Sequence, residues 1–148
     1  MKKLLVTVLL LTLLGCHSAD KEIARIDLDL TMGMSMLITV SSACIKVENG
    51  AWPKDYDEIK QFLHSQDSSI NTSNITEYLV KMNNQDIYEV SYIYNGREKE
   101  NWSLVINSNG SKATYTGTPN RTTEMKSVPF KTIEGCKKSL SKFIQKRT

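Results

Sequence analysis

The eleven residues from Leu4 to Leu14 are aliphatic apart from Thr7 and Thr12, follow Met1-Lys2-Lys3, and end at Gly15 and Cys16. This segment constrains the chain more than any other, because it decides how much of the chain remains to fold. As a helix rising about 1.5 Å per residue it spans roughly 17 Å, well short of the ~30 Å hydrocarbon core, so a permanent membrane span is not expected. Nor does it have the polar face of a helix packed at the rim of a core. A positive start, a short apolar stretch and a small-residue end read instead as an export signal removed from the mature protein.

Leu13-Leu14-Gly15-Cys16 resembles the lipobox of bacterial lipoproteins, a likeness covering residues 1–16. The resemblance implies loss of residues 1–15, a diacylglycerol thioether on the Cys16 sulfur, and usually a further acyl chain on its new α-amine, an anchor traceable with palmitate. Each buried CH₂ contributes about 0.8 kcal/mol, so one chain holds marginally and two or more hold stably. After the cysteine comes His17, where the family's commonest signal for retention in the inner membrane is an aspartate. The expected location is therefore the outer membrane, facing the periplasm. Residues 16–20 then form the lipidated N-terminus and tether, and residues 21–148 a single globular domain.

The chain has three cysteines. Giving Cys16 to lipid leaves Cys44 and Cys136 in an oxidising compartment, where a bridge would close a loop of about ninety residues and stabilise the fold by roughly 4 kcal/mol. Two buried free thiols, packing as small hydrophobes, are the alternative. Neither cysteine has a second cysteine or histidine at zinc-site spacing, so no metal is expected. The net charge of +3 falls to about +1 once Lys2 and Lys3 are removed. That balance does not suit a nucleic-acid partner. Asn-X-Ser/Thr triplets at Asn71, Asn74, Asn101, Asn109 and Asn120 would mark glycan acceptors in a eukaryotic secreted chain. Beside a lipobox they reflect a chain rich in Asn and Ser.

Residues 21–49 carry two periodicities. Ile26 to Met36 alternate apolar and polar, a strand signal, while Ile23, Ile26, Leu30, Leu37, Val40, Cys44 and Val47 share one face of a helix about 120° wide. The length of the segment, its Leu and Met content, and the Asn49-Gly50 stop favour a long helix, with Gly33 as its weak point. Next, Pro53 sets a turn, and Asp55 with Glu58 three residues on predicts a capped short helix whose apolar face is Tyr56, Ile59, Phe62 and Leu63. A long first helix, a glycine, Trp52-Pro53 and Tyr56 together resemble type IV pilin-like proteins and pseudopilins over residues 21–64. The likeness reaches no further than the globular layout, because the sequence departs from the pilin pattern of a leader followed by a retained hydrophobic helix with its early glutamate.

The runs "ITEYLVKM", "DIYEVSYIY", "NWSLVI" and "KATYT" are short, aromatic and β-branched, and Asn-rich turns separate them. They predict an antiparallel meander of three to four strands, followed by a polar loop, "GTPNRTTEMKSVP". Ile133, Cys136, Leu140, Phe143 and Ile144 then make one face of a C-terminal amphipathic helix, with Lys138, Lys142 and Lys146 opposite. The fold class is thus α+β. Cys44 and Cys136 each lie on an apolar stripe, and docking those stripes would bring the sulfurs together.

Chemistry-bearing motifs do not occur: there is no phosphate-cradling glycine loop, no G-x-S-x-G, and neither His17 nor His64 lies in a nucleophile or metal motif. A pairing of His64 with Asp57 or Glu58 is less economical than a surface histidine at a helix end. Trp52 and Trp102 read as core. The lysines 137, 138, 142 and 146 with Arg147 suit either a solvated face or contact with an anionic surface. No enzyme and no cofactor are expected. Two functions fit: a non-catalytic binding or accessory lipoprotein that meets another envelope protein, or an immunity or inhibitor lipoprotein guarding against a toxin, hydrolase or conjugation machine.

Overall fold

A computed structural model describes residues 33–96, 99–107, 112–117, 121–126 and 130–145. Cys16, His17 and the apolar residues Ile23, Ile26 and Leu30 lie outside the described residues. From Gly33 on, the chain is one unit of α+β class, with three helices and a five-stranded antiparallel sheet among the described residues.

Residues 33–49 are helical (α1), so the described part of the ambiguous stretch, residues 33–36, follows the helical periodicity. Gly50 stops the helix. Its φ of +74 is the left-handed conformation that glycine adopts without a Cβ penalty, and its N–H donates to the Lys46 carbonyl at 2.9 Å. After Trp52 and Pro53, the Asp55 carboxylate accepts from the Glu58 N–H at 3.1 Å and caps α2 (Tyr56–Gln66).

The four expected runs form β1 (Ile75–Asn83), β2 (Ile87–Asn95), β3 (Lys99–Asn107) and β4 (Lys112–Gly117). Neighbours in sequence pair antiparallel, giving the order β1-β2-β3-β4-β5. β5 (Arg121–Lys126) corrects both the expected strand count and the expected loop. It pairs with β4 without a break from Lys112↔Lys126 to Gly117↔Arg121. Thr122, Thr123, Glu124 and Lys126 are all exposed, so no apolar alternation marks the strand. The opposite edge, β1, is irregular: its register slips between Thr76 and Leu79 and again between Val80 and Met82, with Glu77 at φ 50. Such bulges blunt an edge against pairing with other chains. α3 (Ile133–Gln145) ends the described chain.

Alternate residues of β2 to β4 point to one face and are buried: Tyr88, Val90, Tyr92 and Tyr94, then Trp102, Leu104 and Ile106, then Ala113 and Tyr115. Gly117 stands opposite Trp102 in the register, and a Cβ there would lie 2.7 Å from the indole.

α1 meets this face through hydroxyls. Ser35 Oγ hydrogen-bonds the Tyr92 hydroxyl, and Thr39 Oγ1 lies 3.0 Å from the Tyr115 hydroxyl while donating to the Ser35 carbonyl at 2.8 Å. Another side of α1 meets α3. Cys44 is bonded to Cys136, with Cα atoms 5.5 Å apart and a sequence separation of 92, and both residues are fully buried. The bridge removes the free-thiol alternative. Lys137 of α3 also reaches Glu48 of α1 at 3.4 Å. Thr39 and Cys44 are about 140° apart around a 3.6-residue helix. α1 therefore lies between the sheet and α3, and every residue from Leu37 to Ile45 is buried.

Candidate functional site

Two rows of side chains face each other where α1 ends and α2 begins. Ile45, Glu48 and Asn49 on α1, and Glu58, Gln61 and Phe62 on α2, each follow i, i+3, i+4 spacing, which places three side chains on one helical face. Together with Ala51, Trp52 and Lys54 from the intervening turn they line a groove of about 450 Å³, within the ~300–1,000 Å³ usual for ligand sites.

The floor is apolar, since Ile45, Trp52 and Phe62 are all buried. Trp52 is held flat by Tyr88, whose ring is 5.3 Å away at an interplanar angle of 11°. The Lys46 ammonium stands 5.9 Å from the Trp52 ring, and the Lys137 ammonium 5.9 Å from that of Phe62. The rim is polar and uncommitted: among the described residues the side chains of Asn49, Lys54, Glu58 and Gln61 make no hydrogen bond or ion pair. Some other surface charges are engaged, as in Lys60–Asp57 at 2.5 Å and Lys112–Glu124 at 3.2 Å. The Trp52 Nε1 is buried without an acceptor among the described residues, whereas the Trp102 Nε1 donates to Glu100 at 3.0 Å.

Beneath the helices lies a layer of tyrosines. Tyr56 stacks on Tyr78 at 5.2 Å and Tyr78 on Tyr92 at 6.1 Å, while the Tyr78 and Tyr88 hydroxyls hydrogen-bond at 3.0 Å. Burial pushes the phenols of Tyr56, Tyr78, Tyr88 and Tyr92 well above the ordinary value of 10.0, and that of Tyr115 up to about 12. They stay protonated near neutral pH and act as hydrogen-bonding core groups.

The residues singled out in the sequence fall in different places. Cys44 and Cys136 are joined, and Cys16 is outside the described residues. Trp52 and Trp102 are both core, at 2% and 3% exposure, and Trp52 is groove floor as well. His64 is not paired with Asp57 or Glu58. Its Nε2 lies 3.2 Å from the Ile70 carbonyl and 3.4 Å from Thr72 Oγ1, bracing the loop after α2. Lys138 and Lys142 are exposed, Lys137 is engaged by Glu48, and Lys146 and Arg147 lie outside the described residues. The described residues contain no cluster of three metal-ligating side chains and no helix long and apolar enough to cross a membrane. Sequence reasoning did not single out Asn49, Lys54 or Gln61. The signal available was the matching i, i+3, i+4 rows flanking Trp52. Comparison with known protein families, with curated proteins and with solved structures returns no match for this chain.

Proposed function

We propose that this chain is an envelope lipoprotein, anchored through Cys16 in the outer membrane and facing the periplasm, that works as a non-catalytic binding or accessory module for another envelope protein. The observation that carries the reading is the buried Cys44–Cys136 bridge. A structural disulfide of this kind persists in an oxidising compartment, the destination implied by an apolar segment that ends in Leu13-Leu14-Gly15-Cys16. A first helix laid on an antiparallel meander is compatible with the pilin-like resemblance of residues 21–64. The binding surface it favours is the groove at Trp52, where an apolar floor meets uncommitted polar groups. Metabolic labelling with palmitate, followed by density-gradient fractionation, tests the anchor. The wild-type protein is expected to take up label and sediment with outer-membrane markers, and Cys16→Ser to lose the label. Label persisting in the variant rejects the anchor, and sedimentation with inner-membrane markers rejects the sorting.

A further inference from the structure

We infer that the groove between α1 and α2 binds an extended peptide segment of a partner protein, seating one apolar side chain on its floor between an acidic and a basic neighbour. The inference rests on the binding-module reading and is independent of the lipid anchor. Its grounds are the chemistry of the lining. Trp52 and Phe62 give a flat apolar floor for a single side chain. Lys54 and Glu58 offer one free charge of each sign, so the rim complements a segment that itself carries one of each sign, rather than a polyanion or a polycation. The free amides of Asn49 and Gln61 each supply a donor and an acceptor, the pair that a peptide unit presents in reverse.

The decisive experiment measures fluorescence anisotropy of dye-labelled tripeptides against the full chain held in lipid nanodiscs. The probes are Glu-Leu-Lys, Glu-Ala-Lys and Glu-Leu-Glu, each amidated at the C-terminus. Wild-type protein is expected to favour Glu-Leu-Lys over Glu-Ala-Lys by about tenfold or more, the effect of losing a buried leucine side chain, and to favour it over Glu-Leu-Glu as well. Glu58→Lys replaces a half-buried carboxylate that makes no side-chain hydrogen bond or ion pair, and a circular dichroism melt verifies that the variant keeps the fold. In that variant the preference between Glu-Leu-Lys and Glu-Leu-Glu should reverse. Equal affinity of all three peptides for the wild type, or an unchanged preference in the variant, overturns the inference. Peptide binding that is indifferent to Glu58→Lys places recognition elsewhere on the protein and leaves the binding-module reading standing. No binding of any probe counts against the groove, while palmitate labelling still decides the anchor.

Discussion

Helices α1 and α3 each supply one half of the disulfide, yet their surroundings differ. α1 is enclosed from Leu37 to Ile45, with Thr39, Ser41 and Ser42 buried alongside the apolar residues. α3 buries Cys136 and Leu140 and leaves Lys138, Ser139, Ser141 and Lys142 exposed. A helix held between two layers cannot be amphipathic in the ordinary sense, because both neighbours must approach its axis closely. Small side chains allow that approach. The Tyr92 and Tyr115 phenols offset the cost of burying the hydroxyls of Ser35 and Thr39, whereas the Ser41 and Ser42 hydroxyls are buried without a partner among the described residues. The same residue type therefore has opposite meanings in the two helices: on α1 serine is a small buried spacer, with Ser35 also a hydrogen-bonding post, and on α3 it is a solvated surface.

Raising the pH should break this asymmetry most completely. The buried phenols have pKa values above the ordinary 10.0 in the fold, Tyr115 up to about 12. Groups whose native pKa is raised contribute stability that is full below the unfolded value and is lost as pH climbs through the folded one. Stability should accordingly decline above about pH 10, with α1 leaving the sheet while the bridge to α3 stays intact. Tyrosine absorbance and far-ultraviolet circular dichroism, recorded together, check this. Phenols ionising without loss of structure would refute it. Next in size is Cys44→Ala combined with Cys136→Ala, which should cost about 4 kcal/mol because it frees a loop of about ninety residues. Urea melts read the loss. The smallest effects sharpen the comparison directly. Ala43→Leu on α1 adds bulk at a site with 0% exposure and should cost about 1–3 kcal/mol. Ser141→Leu on exposed α3 should stay within about 0.5 kcal/mol. Equal costs would mean that α1 has room to spare.

Much of the architecture was legible where one face is buried and the other is not. Tyr88, Val90, Tyr92 and Tyr94 alternate with half-exposed neighbours, and the period of two announces β2. Asp55 and Glu58 announce the start of α2 through a cap that needs only local chemistry. β5 was illegible for the converse reason. Residues 122–126 bury little, and β5 is a strand because β4 offers it a ladder of partners. Likewise the apolar stripe of Val40, Cys44 and Val47 identifies one face of α1 and says nothing of Thr39, Ser41 and Ser42, whose burial depends on layers assembled from distant residues. The groove behaves the same way. Trp52 was readable as core, but its second role arises from two helical rows that are separate in sequence and converge only on folding.

The position of the bridge has a mechanical consequence. Cys44 and Cys136 enclose α2 and all five strands within one covalent ring. A pull applied between the two ends of the chain runs along residues before Cys44, crosses the sulfurs, and continues beyond Cys136, so the sheet carries no tension. Extension can peel α1 and α3 from their ends, but the strands stay unloaded until the disulfide is reduced. A protease that nicks any turn between β1 and β5 likewise leaves both fragments joined, and only a reductant lets them part.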